Sequence, residues 1–193
     1  MTDPTIDSQM IQLKNSGANV FFNITTPKFA AQAIKKAAEI GWKPVHYLNN
    51  VSASVATVMQ PAGLDNGQGV ISAAYLKDVT DPQWNTSPDV VEWRAFMTKY
   101  APTLDQKDAG TVTAWATANT LIEVLKRCGD NLTRENVMKQ AAGLQHYVAP
   151  LLVPGIDINT SATDFYPIQA VQLSKFEGSS FKLFGEVLRN ESH

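Results

Sequence analysis

Residues 19–44 read NVFFNITTPKFAAQAIKKAAEIGWKP. The run Val20–Ile24 is short and almost entirely apolar, the pattern of a strand buried on both faces in a parallel sheet. Thr26 stands where a helix N-cap belongs, and Pro27 fits the first helical position, where its missing N–H costs nothing. Phe29, Ala33, Ala37 and Ile40 then recur along one helical side, and Gly41 closes the helix. The stretch ends at Pro44, the entry to a second apolar run, KPVHYLNN. Strand, helix, strand in this order is a βαβ unit.

The pattern extends in both directions. Upstream, DPTIDSQMIQLKNSGAN places Ile6, Met10 and Leu13 on one helical face, with Gly17 as a C-terminal cap. Downstream, SASVATVMQPAG predicts a helix stopped near Pro61, and GVISAAYLK a third strand. The first part of the chain is therefore α/β with a parallel sheet. The middle changes character. SPDVVEWRAFMTKYAP carries Ser87 as N-cap, Pro88 at the first helical position, and Val90, Trp93, Met97 and Tyr100 at helical spacing. AGTVTAWATANTLIEVLKRCG and NLTRENVMKQAAGL predict two more helices with no strand between them, the second capped by Thr133. At the end, YPIQAVQLSKFEGSSFKLFGEVL reads as two strands around the turn Glu177-Gly178-Ser179-Ser180. A closing hairpin is antiparallel, so the sheet should be mixed.

Composition excludes several classes. The chain has 193 residues, 44% hydrophobic and 18% charged, enough apolar material for a real core. A net charge of -2 with no Lys/Arg cluster argues against nucleic-acid binding. The lone Cys128 excludes an internal disulfide and reads as a small packed residue. No stretch is long and apolar enough to span a membrane as a helix. The N-terminus MTDPTIDSQM shows no secretion-signal pattern, so either the protein is cytoplasmic or its natural beginning is missing. Phosphate-loop, dinucleotide, serine-hydrolase and zinc-protease motifs are all absent. His46, His146 and His193 have no partners at metal-ligand spacing, and His46 reads as a packed strand residue. No nucleophile–base pair can be named, so no enzyme activity, metal or cofactor is expected. The six N-x-[ST] triplets, at Asn23, Asn50, Asn85, Asn131, Asn159 and Asn190, read as chance in a chain rich in Asn and Thr.

Two polar clusters remain. Asn23, Thr25 and Thr26 follow the first strand; Asn49, Asn50, Ser52 and Ser54 follow the second, in YLNNVSASV. Both fall at the carboxyl ends of consecutive parallel strands, where open α/β sheets bind ligands. Both precede a helix N-terminus, where free N–H groups attract carboxylate or phosphate. The same residue types are also ordinary caps and turn formers, so capping and ligand binding both fit.

At these residues the sequence resembles a known family. The stretch from Gly17 to Val55, then GVISAAYLKDVTDPQW, LTRENVMKQAAGL, LLVPGIDINTS and FKLFGEVL are similar to the periplasmic solute-binding proteins of the branched-chain amino acid ABC transporter class. The resemblance covers nearly the whole chain, and is greatest to members that handle aromatic acids. It implies a type I periplasmic-binding-protein fold, here incomplete: two α/β lobes that close on a solute and deliver it to an ABC permease in the membrane. In that pattern residues 1–74 and 166–193 are parts of the second lobe, and 75–165 belongs to the first. Trp115 would lie near the cleft, with packing as its default role. The resemblance also implies a C-terminal fragment of a periplasmic protein whose signal peptide and most of whose first lobe are absent. Exposed apolar surface and self-association would follow.

Amino-acid binders of this family carry an acidic residue after the second strand to pair with the ligand ammonium. Here the segment is LNNVSAS, without Asp or Glu. A small organic acid without an α-amino group, such as an aromatic carboxylate, is therefore the expected ligand, contacted by Asn23, Thr25, Thr26, Asn49, Asn50 and Ser52. A ligand-sensing or regulatory subunit on the same fold is the alternative.

Overall fold

The computed structural model describes residues 5–190; His193 and the first four residues lie outside that range. A single five-stranded sheet organises the chain, with strands in sequence order. β1 (Val20–Asn23), β2 (Val45–Leu48) and β3 (Ile71–Ala74) run parallel; β4 (Ala170–Glu177) and β5 (Ser180–Arg189) continue the sheet antiparallel. The mixed sheet and closing hairpin agree with the sequence reading.

Helix α1 (Asp7–Asn15) precedes β1, and α2 (Pro27–Glu39) connects β1 to β2. Thr26 occupies the N-cap position of α2 with extended backbone, but its side chain makes no capping bond. The helix is instead fixed by Pro27 and by its buried Ala30, Ala31, Ala33, Ile34 and Ala37. Small residues let α2 approach the sheet closely, and full burial of Ile34 contributes about 2 kcal/mol. Its floor is Leu48, Val70, Phe176 and Phe181. Met10 of α1 is buried against Ala33, Ala37 and Trp42 on the neighbouring side; Leu13, expected on the same face, is exposed.

The β2–β3 connection is less regular than expected. A π-type turn (Val55–Met59), in which the Ser54 carbonyl accepts the N–H groups of both Val58 and Met59 at 3.1 Å, runs into the single turn α3 (Gln60–Ala62). Gly63 stops it in the left-handed region at φ 90°. Pro61 sits inside this short turn, within the first positions that tolerate it.

The middle of the chain holds α4 (Pro88–Tyr100), α5 (Ala109–Cys128) and α6 (Arg134–Ala141). Trp93, Val90 and Met97 of α4 are buried with Val112 and Leu151; Cys128 is buried as well. Trp115 is half-buried, its ring 4.6 Å from that of Phe96, in the packing role expected of it. These helices attach to the sheet through a return loop. Val153 donates to the Tyr75 carbonyl at 2.9 Å, Lys77 to the Leu151 carbonyl at 2.8 Å, and Leu144, Ile156 and Ile158 pack with Ala170.

One expectation fails. β1 is covered on one face only: Phe22 is 68% exposed and Ile24 81%, with Val20 and Val45 also open to solvent. The packed partners, Met10 and Trp42 beside Phe21 and Ala30, Ala31 and Ile34 beside Leu48, lie on the alternate face, so among the described residues the apolar run marks a strand with one uncovered face.

Candidate ligand site

The two polar clusters do come together, by backbone first. Parallel pairing aligns Asn23 with Leu48, so the chain leaves both strands side by side, and Asn49 N–H donates to the Asn23 carbonyl at 3.0 Å. The Asn23 side chain is buried; its Oδ1 accepts Thr25 N–H at 3.2 Å and the Thr25 hydroxyl at 2.6 Å, a local turn that Asn forms readily. The Thr25 carbonyl then accepts Asn49 Nδ2 at 3.3 Å and Ser52 Oγ at 2.6 Å, while Asn49 Oδ1 accepts Ser52 N–H at 3.2 Å. Asn23, Thr25, Asn49 and Ser52 therefore satisfy one another and fasten the two strand ends.

The network also fixes a histidine. Because Asn23 Oδ1 faces Thr25 N–H, its amide NH₂ faces His46 Nε2, 3.2 Å away. Nε2 must accept, so the imidazole is neutral with its proton on Nδ1. Burial pushes the His46 pKa down to about 4. The Phe21 ring lies tilted against it at 4.6 Å between centroids. His46 is the packed strand residue that the sequence suggested.

A cavity of about 480 Å³ opens beside this network, between the carboxyl ends of β2 and β3 and the N-terminus of α5. Of the six expected contact residues, Asn50 lines it; Asn23, Thr25, Thr26, Asn49 and Ser52 do not. Thr26 is exposed at the start of α2. Ser54 ties the two sides, its hydroxyl oxygen accepting Thr57 N–H at 3.4 Å and Ala109 N–H at 3.5 Å. Asp108 caps α5 through Gly110 N–H at 2.9 Å. The first-turn donors Ala109 and Gly110 are thus engaged within the protein.

The cavity's electrostatics come from three residues the sequence reading passed over. Lys77 is buried, its ammonium held by Asp89 at 2.7 Å and Ser87 at 3.0 Å. Burial opposes ionisation of Asp89, but hydrogen bonds from Lys77, Ser87 and Leu151 outweigh it and hold its pKa below the usual carboxylate range. Asp78 is the one acidic residue lining the cavity among those described, and both its oxygens are taken: Oδ1 by Thr80 N–H and hydroxyl, Oδ2 by Phe181 N–H at 2.7 Å. Lys107 is exposed at the rim and has no ion-pair partner among the described residues. Val51, Tyr75, Val112 and Phe181 supply apolar walls. The arrangement suits a small molecule with an apolar body and a negative end. Lys77 and Asp78 follow the third parallel strand as the two polar clusters follow the first and second, so strand-end position was the signal that could have found them. Lys107 carried none, being brought in by α5 from far along the chain.

Solved structures share this fold. A branched-chain amino acid ABC transporter protein from Thermus thermophilus, with bound valine, superposes with TM-score 0.78 at 15% identity, over 96% of this chain and 50% of its own. A substrate-binding periplasmic protein from Ralstonia solanacearum gives TM-score 0.78 at 17% identity over 96% of this chain and 49% of its own. A solute-binding protein of an ABC transporter from R. palustris, in complex with benzoate, gives 0.71 at 16% identity over the whole of this chain and 50% of its own. The chain thus spans about half the length of these proteins and carries the corresponding part of their type I fold. A search of curated protein sequences found no match. The profile of the periplasmic binding protein family matches residues 2–180, and the chain belongs to that family.

Proposed function

We propose that this chain forms one wall of the solute site of an extracytoplasmic binding protein serving an ABC importer, and that the solute is a small aromatic carboxylate. The observation that carries this reading is the charge of the cavity. Among the described residues it presents Lys107 without an ion-pair partner and Lys77 neutralised by Asp89, while its one acid, Asp78, is consumed by Thr80 and Phe181. A ligand ammonium would find no free carboxylate there and would be desolvated without compensation. A ligand carboxylate would find the Lys107 ammonium and the amide of Asn50, with Val51, Tyr75 and Val112 for an apolar ring. The R. palustris protein holds benzoate and the T. thermophilus protein valine, so the fold accommodates either chemistry and the polar residues of this chain must choose. The two strand-end clusters divide the work: Asn23, Thr25, Asn49 and Ser52 fasten the strand ends to each other, and Asn50 reaches the cavity. Residues 1–74 and 166–193 would belong to one lobe and 75–165 to the other, placing the cavity at their junction. The partner would be a membrane permease, and the compartment the periplasm.

Ligand-observed NMR tests the reading. Saturation transfer from the protein to benzoate, weakened by Lys107→Glu and absent for leucine, is the expected result. Transfer to leucine with none to benzoate refutes it.

A further inference from the structure

A second cavity, of about 370 Å³, adjoins the solute cavity and shares Val55, Val79 and Lys107 with it as walls. The β2–β3 connection, α4, the approach to α5 and the tip of the closing hairpin build it together.

Its charge is one-sided. Arg94 and Lys107 line it, and no acid does among the described residues. Arg94 is half-buried, and its Nη2 donates to the Val79 carbonyl at 2.8 Å and to Asn85 Oδ1 at 2.9 Å. Both acceptors are neutral, so they fix the guanidinium without neutralising it. Lys107 is held by its backbone: its N–H donates to Asp105 Oδ1 at 2.8 Å and its carbonyl accepts Ala56 N–H at 3.4 Å. Acids on the neighbouring segments are engaged elsewhere, Asp78 with Thr80 and Phe181, and Asp81 with Lys182 at 2.5 Å. Two like charges on one cavity repel each other and favour a bound counter-ion.

The neutral lining supplies donors. The side chains of Gln60, Gln106 and Ser179 make no hydrogen bond among the described residues. Trp93 is fully buried in the wall, and its indole Nε1 has no acceptor among them either. Buried polar groups are almost always paired, so an orphaned one calls for a partner. Indole N–H can only donate, so that partner must carry an acceptor.

We propose that this cavity is a second anion site, which takes a small inorganic oxyanion such as phosphate. Arg94 and Lys107 supply the charge, and Gln60, Gln106, Ser179 and Trp93 the neutral donors. An oxyanion carries acceptor oxygens in several directions, as donors from several segments require, and the planar guanidinium fork suits it. The cavity is roomy enough for ordered water to share it. This inference stands independently of the solute reading, since Arg94, Trp93 and the other neutral donors line no part of the solute cavity.

Proton–nitrogen correlation spectra of the chain decide it. Four tryptophans give four indole cross-peaks, and Trp93→Phe identifies the one that matters. Sodium phosphate, titrated at constant ionic strength against sodium chloride, should move the Trp93 cross-peak and saturate in the millimolar range. The Trp42 cross-peak, from a separate core cluster, should stay in place. Arg94→Gln should weaken the response about tenfold. Gln106→Glu, which adds a negative charge to the cavity, serves as the second variant should that one misfold. A Trp93 cross-peak that does not move, that moves without saturating, or that sodium chloride alone moves equally overturns the proposal. So does a folded Arg94→Gln or Gln106→Glu chain that responds as wild type does.

Discussion

The backbone N–H of Leu151 donates to Asp89 Oδ2 at 2.9 Å, joining the return loop to the first turn of α4 across most of the helical middle. The same oxygen takes the Lys77 ammonium at 2.7 Å, and the Lys77 N–H donates to the Leu151 carbonyl. Leu151 is fully buried at φ 69°, a conformation that costs a non-glycine residue about 1 kcal/mol or more and persists because its surroundings hold it. Three segments distant in sequence meet at one carboxylate.

Asp89→Ala should therefore destabilise the chain by about 3 kcal/mol, because it strands the buried Lys77 ammonium and the Leu151 N–H together. Asp89→Asn keeps an acceptor for Leu151 and should cost less. Lys77→Met with Asp89→Asn should be more stable than Asp89→Asn alone. Urea titrations of the four proteins measure this. Equal stability of wild type and Asp89→Ala would show that the junction contributes nothing.

His46 should make the fold sensitive to acid. Its pKa is about 4 in the folded chain and about 6.5 unfolded. Between those values the unfolded state binds the extra proton, so stability is complete above pH 6.5 and falls as pH drops toward 4, by about 3 kcal/mol in all. Asp89 and Asp81, held below the usual carboxylate range, add losses in the same direction at lower pH. His46→Gln should flatten the profile between pH 6.5 and 4 and leave the lower limb. Denaturant midpoints across that range supply the check; an unchanged slope in the variant would remove His46 as the cause.

The strand-end clusters should split into two behaviours. Asn23→Ala leaves Thr25 N–H, the Thr25 hydroxyl and His46 Nε2 without their partner, and should cost about 2 kcal/mol of stability. Asn50→Ala, exposed and at the cavity, should leave the melting temperature within about 1 °C of wild type, as surface changes usually do, while reducing benzoate binding. Paired melts and NMR titrations separate the two. Asn50→Ala binding as wild type does would confine Asn50 to structure.

Much of this molecule could be read from its residues. The β1–α2–β2 unit, the helical middle and the closing hairpin follow from apolar periodicity and from Thr26-Pro27, Ser87-Pro88 and Thr133 at helix starts. Three features were hidden. The apolar run of β1 looks the same whether one face or both are covered, because coverage depends on elements elsewhere. The interlocking of Asn23, Thr25, Asn49 and Ser52 depends on strand register, which four-residue strands do not announce, so residues chosen as ligand contacts turned out to bond one another. Lys107 reaches the cavity only through the placement of α5.

A thermal melt with matched ligand panels tests most directly whether the cavity between the strand ends and α5 takes an aromatic carboxylate. Ligand binding to the folded state alone raises the midpoint by mass action; at ten times the dissociation constant the gain is about 1.4 kcal/mol, or roughly 4 °C for a chain of this size. Millimolar benzoate should give such a rise, leucine and valine none, and Lys107→Glu should lose it. A rise with leucine or valine and none with benzoate would contradict the aromatic-carboxylate reading.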